Sequence, residues 1–162
     1  MGLAFGDGWR DQAVCPEFRI VTTEYRPRSE RRGVVAVIHR GDRLLVIRRS
    51  QSVVAPGAYC FPGGAIEGEE TEEQALVREI AEELGAIVRP MRRIWSSTTP
   101  WSVYLTWWLV EAEPVCEYCP NPAEVESIHW LTPAEMIDLP ELLESNRHFL
   151  RALANGEIVL GL

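Results

Sequence analysis

Hydrophobic positions change their period several times along this chain, and each change predicts an element. Residues 1–16 carry no period and read as an N-terminal arm, while residues 18–25 are β-branched and aromatic and read as a first strand. Residues 33–39 are almost continuously apolar, the pattern of a strand buried on both faces. Residues 44–49 form its partner across Arg40-Gly41-Asp42-Arg43, a hairpin turn. A loop over 51–58 leads into Tyr59-Cys60-Phe61 and the tight turn Phe61-Pro62-Gly63-Gly64.

The period then becomes helical. Thr71-Glu72-Glu73-Gln74 reads as a capping box, Glu72 and Glu73 suit the positive end of the helix dipole, and Gly85 is a left-handed stop. The expected helix covers 72–84, with Leu76, Val77, Ile80, Ala81 and Leu84 facing a core and Glu79, Glu82 and Glu83 on the other side. Strands are expected over 87–94, 104–112 and 125–131, with a polar loop from Trp95 to Ser102 between the first two. Thr132-Pro133-Ala134-Glu135 starts a helix with proline near its first position, and residues 139–153 read as the closing helix. Strands with one helix in mid-chain and one at the end imply an α/β fold, an α/β/α sandwich over a mixed β-sheet.

Composition narrows the function. At 162 residues and 46% hydrophobic the chain suits one domain, expected here over 1–162, with a sizeable core. No apolar run is long enough for a bilayer and the N-terminus lacks the pattern of a leader, so the expectation is a cytoplasmic protein with no membrane partner. All 16 basic side chains are arginine, and arginine forks suit phosphate. Residues 64–86 hold eight glutamates and one arginine, a net of −7 within a chain total of −8. Acid concentrated in one stretch argues against a nucleic-acid partner held by a basic surface. Cys116-Glu117-Tyr118-Cys119 would form a zinc site only with a third ligand such as Cys15 or His129; reduced thiols are the simpler reading.

Clustered carboxylates at helical spacing read first as a solvated acidic face. Here they follow a turn whose glycines let backbone approach closely, and such an oxygen-rich shell is what Mg²⁺ or Mn²⁺ prefers. Gly64, five residues, Glu70, seven residues, and then Arg78-Glu79-Ile80-Ala81-Glu82-Glu83-Leu84-Gly85-Ala86 resembles the Nudix box at every fixed position. The resemblance implies the Nudix-type sandwich and a hydrolase that uses Mg²⁺ or Mn²⁺ to cut the diphosphate of a nucleoside diphosphate linked to another group. It implies Glu79, Glu82 and Glu83 as metal ligands with the carbonyl of Gly63 or Gly64, and Glu70 beside them or acting through a water. Glu79 or Glu82 would poise the attacking water, and Arg78 would hold a glutamate in place. Family members often add an acid from a later loop; Glu124 is preferred for it over Glu126. Arg48, Arg49, Trp101, Tyr104 and Glu126 are the substrate-binding candidates, the arginines for phosphate and the aromatics for a base. Members of the family are often dimers, so a homodimer is allowed. The competing reading is a Nudix-fold module that binds a nucleotide without cutting it; such modules typically lose box glutamates, and this chain keeps them all.

Overall fold

The computed structural model describes residues 31–113 and 117–161. In chain order they form β1 Arg31–Arg40, β2 Arg43–Arg49, β3 Tyr59–Cys60, β4 Gly63–Ala65, α1 Glu72–Leu84, β5 Val88–Thr98, β6 Val103–Ala112, β7 Val125–Leu131, α2 Pro133–Ile137 and α3 Glu144–Ala154. The sheet order is β3-β2-β1-β6-β5, with β4 added to β1 and β7 to β2. β1 runs parallel to β6 and antiparallel to β2 and β4, so the sheet is mixed. The expected arm and first strand, with Cys15 and Cys116, lie outside the described residues.

β1 organises the two layers because alternate side chains leave it in opposite directions. Val34, Ala36 and Ile38 pack with Ala75, Leu76, Ile80 and Leu84 of α1. Val35 and Val37 pack on the other face with Met136 of α2 and Phe149 and Leu150 of α3. The fold is therefore the expected α/β/α sandwich. Aromatic residues fill the second layer: the Trp107 and Phe149 rings stack with centroids 4.6 Å apart, and Phe61 and Trp95 pack edge-on to Phe149.

α1 has the predicted bounds. Thr71 accepts from the Gln74 amide, the Gln74 side chain closes the box, and Gly85 takes φ 61°. Its buried face differs from the one expected. Val77 is 40% exposed and Ala81 is also exposed, while Ala75 joins the core and Glu72, Glu79 and Glu83 turn inward. Hydrophobicity placed the arc one residue out, because buried ion pairs and hydrogen bonds let carboxylates occupy the sheet-facing stripe.

Three other expectations are corrected. The first half of the loop expected from Trp95 to Ser102 is strand: β5 continues to Thr98, held by pairing with β6 and by Trp107 Nε1 donating to Ser97 Oγ at 3.1 Å. Only residues 99–102 turn. The closing helix starts at Glu144 and not at residue 139, because residues 141–143 pair with β3: Tyr59 N–H donates to Glu141 O and Leu143 N–H to Tyr59 O, both at 3.0 Å. The glycine turn itself contains β4, which pairs with residues 33–35 of β1. Among the described residues no helix is long and apolar enough to cross a membrane.

Glu72, read from sequence as capping or solvated, is 8% exposed. It accepts from Arg32 at 3.1 Å, from Trp108 Nε1 at 2.9 Å and from Arg93, tying the first turn of α1 to β1, β6 and β5. Burial opposes its charge, but hydrogen bonds from Trp108, Arg93 and Thr106 outweigh it and hold the carboxyl below the usual range. A lowered folded pKa contributes stability that is present above the unfolded value and is lost as pH falls through the folded one. Glu72→Ala should cost about 2 kcal/mol near neutral pH, since charged hydrogen bonds are broken and an indole donor is orphaned. Urea unfolding at pH 7 and pH 3 checks this: the wild-type advantage should shrink at the lower pH.

Candidate active site

Gly63 and Gly64 bring backbone against the inward face of α1, and a side chain at the first would meet backbone and at the second the Glu79 carboxylate. Gly63 has φ 139° and a Cβ there would lie 2.2 Å from Val34 O. A Cβ on Gly64 would lie 2.4 Å from the Glu79 carboxylate. The glycines thus form a cradle in which carboxylates meet main chain directly.

Glu83 is 5% exposed and accepts a hydrogen bond from Gly63 N–H at 2.9 Å. Burial pushes its acid up to about 8, reinforced by Glu79 and Glu124 and opposed by the Gly63 bond and the charge of Arg49. Burial likewise raises Glu79, against the hydrogen bond and charge of Arg78. The influence of Glu124 on both brings this loop acid into the same electrostatic site.

Arg78 binds three glutamates and a carbonyl. It holds Glu70 with both arms of its fork, Nε at 3.1 Å and Nη2 at 2.6 Å. Nη1 meets Glu79 at 2.9 Å and Glu82 at 3.1 Å, and Nη2 also donates to Ala65 O at 2.9 Å. The Arg78 fork, helped by the Glu67 amide, lowers the Glu70 acid; the guanidinium is held still more firmly protonated by Glu70. Glu82 stays half exposed at the mouth.

This donor set fits a hard divalent cation: several carboxylates beside main chain, with more negative charge than Arg78 and Arg49 neutralise. Among the described residues no three acidic, histidine or cysteine side chains stand as a closed cage. Arg78 lies between Glu79 and Glu82 and satisfies both, so the carboxylates are neighbours joined through a guanidinium.

A cleft of about 280 Å³ opens at the glycines, lined also by Arg31, Arg49, Cys60, Leu105 and Asn146. Arg49 reaches it while donating to Val54 O at 2.7 Å. Arg48 leaves the strand on the other side, bound to Gly57 O and Glu126 at 3.2 Å and lying over the Tyr59 ring, so Arg48 and Glu126 pair with each other away from the cleft. Tyr104 shares the α1 face of β6 with Thr106 and Trp108, whereas Val103 and Leu105 line the cleft. Trp101 is 79% exposed at the β5–β6 turn and borders a small neighbouring cleft that shares Leu143 and Ser145 with the first.

Cys60 and Asn146 were not anticipated at the cleft. Burial pushes the Cys60 thiol up to about 11, so it is a neutral wall. Asn146 is buried in α3 and accepts from Phe61 N–H at 2.8 Å, fixing the strand that leads into the glycines. One asparagine in an amphipathic helix carries no sequence signal for that contact. A larger cleft of about 590 Å³ lies at the far end of β1, by Arg40, Tyr118 and Trp130. None of the α1 carboxylates lines either cleft; the smaller one adjoins them through Gly63, Gly64 and Arg49.

The family model described as NUDIX domain matches residues 29–153. An NAD-capped RNA hydrolase NudC of Stutzerimonas stutzeri (strain A1501) is 31% identical over 132 residues, 78% of this chain and 47% of that protein. The CTP pyrophosphohydrolase of Escherichia coli (strain K12) is 42% identical over 52 residues, 32% of this chain and 38% of that protein. The chain spans about half the length, or less, of these curated relatives. Among solved structures, the MutT protein from Methanosarcina mazei Go1 matches with a TM-score of 0.68 and 18% identity, covering 78% of this chain and 94% of that one; this likeness is one of fold.

The Glu83 environment has a measurable consequence for the metal-free protein. Its folded acid is raised above the unfolded value near 4.5, so its contribution to stability is present below that pH and is lost as pH rises towards about 8. Glu83→Gln keeps an oxygen for Gly63 N–H and removes the titration. Between pH 5 and pH 8 in EDTA, the variant should gain on the wild type by on the order of 3 kcal/mol in urea unfolding. Parallel stability curves would contradict the assigned environment.

Proposed function

The chain belongs to the NUDIX family, and we propose that it is a divalent-metal-dependent pyrophosphohydrolase, cutting a nucleoside diphosphate linked to another moiety by attack of water at phosphorus. The observation that carries this reading is the pair of buried carboxyls, Glu79 and Glu83, held against glycine backbone with Glu82 at the mouth and Glu124 nearby.

Glu79, Glu82 and Glu83 would hold Mg²⁺ or Mn²⁺ with a main-chain oxygen of Gly63 or Gly64. When bound, the ion neutralises diphosphate charge and lowers the pKa of a coordinated water. Glu70, gripped by both arms of Arg78, serves as the anchor of that arginine. Arg78 in turn fixes the rotamers of Glu79 and Glu82. Arg49, at the wall of the cleft, offers a fork to a phosphate oxygen. Glu79 or Glu82 would orient the attacking water, and Glu124 would accept its proton. Held groups of this kind contribute through positioning and charge, the terms that dominate phosphoryl chemistry.

The substrate class is set by the anhydride and not by its bearer. A relative named for NAD-capped RNA keeps a capped RNA end within that class beside free dinucleotides and nucleotide sugars. The acidity of this chain favours the small molecules.

The test is a product-release screen with ADP-ribose, NADH, diadenosine polyphosphates, nucleotide sugars, coenzyme A, (d)NTPs and a short NAD-capped RNA, each with Mg²⁺, Mn²⁺ or EDTA. Metal-dependent cleavage of one class well above the rest is expected. Ligand binding without turnover would favour a sensing module. Glu82→Gln, at a half-exposed position, should lower kcat by about 100-fold or more with unchanged thermal unfolding; near-full activity would remove Glu82 from the machinery.

A further inference from the structure

Glu124 lies on a loop, yet it must be placed as reliably as the glutamates on α1. We propose that Asn121 is the positioning residue for Glu124, coupling the C-terminal end of α1 to the loop acid. This rests on the reading of Glu124 as part of the reaction site.

The contacts run in both directions from one residue. Asn121 N–H donates to Glu83 O at 2.9 Å, taking up a carbonyl at the end of α1 that has no partner within the helix. Its own carbonyl accepts from Glu124 N–H at 2.9 Å and Val125 N–H at 2.8 Å. Its side-chain Oδ1 accepts from Ala123 N–H at 3.1 Å, which settles the orientation of the amide. Nδ2 is therefore the atom that faces Glu124, and it donates to Oε1 at 3.3 Å.

The same residue thus touches the main chain of Glu83 and the carboxylate of Glu124, the two acids that share the site with Glu79. The residue after β2 closes the loop from the opposite side: Ser50 N–H donates to Glu124 O at 2.8 Å and Ser50 Oγ to Ala123 O at 2.7 Å. The loop backbone is held at both ends, and the Asn121 amide is the contact that reaches the acid's side chain. A shift of the helix end moves the Asn121 backbone, and the side-chain amide, held by Ala123 N–H, carries that shift to Glu124, so the spacing between helix acids and loop acid is kept. Positioning of this kind is worth a great deal, since a displacement of about 1 Å can cost ~100-fold in rate.

The alternative is that Asn121 only shapes the turn, as asparagine before proline often does. Asn121→Asp separates the two. It keeps Oδ1 for Ala123 N–H and every backbone bond, but places a carboxylate oxygen where Nδ2–H met Glu124. The experiment is a double-mutant cycle on the full chain with Asn121→Asp, Glu124→Gln and the double variant, read as kcat, KM and thermal unfolding on the best substrate of the screen. If Asn121 acts through Glu124, Asn121→Asp lowers kcat by about 10- to 100-fold with KM within about twofold, and adds little further loss once Glu124 is Gln. Unchanged kcat in Asn121→Asp, with Glu124→Gln impaired, overturns the proposal and leaves the Glu124 assignment standing. Coupling in unfolding but additive losses in kcat also overturns it, because the contact would then serve only the loop. A silent Glu124→Gln, or no turnover by the wild type on any substrate, overturns the underlying reading and this inference with it.

Discussion

A carboxylate cannot be buried against a sheet unless something replaces its water, and that requirement shapes the centre of this molecule. Glu83 obtains one hydrogen bond from Gly63 N–H, and Glu79 obtains the Arg78 guanidinium. A side chain at Gly63 would meet the backbone of Val34 and one at Gly64 would press on the Glu79 carboxylate, and the short β4 pairing pins both glycines to β1. Two carboxyl groups thus join the glycine turn to the helix, beside the apolar packing of α1 on β1.

The molecule divides its acidic residues by what holds them. Glu72 meets two arginines and an indole, and its acid is lowered. Glu70 is held by both arms of Arg78. Glu79 and Glu83 are buried, and that burial raises their acids against the opposing contacts of Arg78 on Glu79 and of Gly63 on Glu83. One short segment therefore opens with carboxylates held in their charged form and, in the following turns, buries carboxyls whose charged form is disfavoured. An acid buried at a cost to its charged form lowers stability in the metal-free state, and such local conflict concentrates where function requires it. The apolar side chains Leu76, Ile80 and Leu84, all fully buried on the same face, offset that cost.

Much of this was legible in the chain, and the reasons for the gaps are physical. Caps are local chemistry, so Thr71, Gln74 and Gly85 marked the ends of α1 correctly. The nearly continuous apolar run of β1 announced burial on both faces for the same reason. The rotation of α1 was misread at Val77 and Ala81 because hydrophobicity alone cannot show that a carboxylate has been given partners from β1, β5 and β6, 21 to 40 residues away in sequence. The end of β5 was misread because Ser96, Ser97 and Thr98 look like a loop until the opposite strand supplies their pairing. Within the site, the spaced glutamates and glycines were visible as a pattern. The separation of Arg48 from Arg49 follows strand alternation and was available in principle.

What a linear pattern cannot contain is the link between the helix and the late loop. Glu83 and Asn121 are far apart in the chain, and nothing in Pro120-Asn121-Pro122 beyond a turn signal connects them. In the fold, the last carbonyls of α1 seek donors; Cys119 N–H supplies one to Leu84 O at 2.8 Å and Asn121 N–H another to Glu83 O. Satisfying the helix end is therefore the same event as placing the loop. A general need of every helix terminus is met here by a segment that carries an acid, and the geometry of the site follows from how the helix is finished.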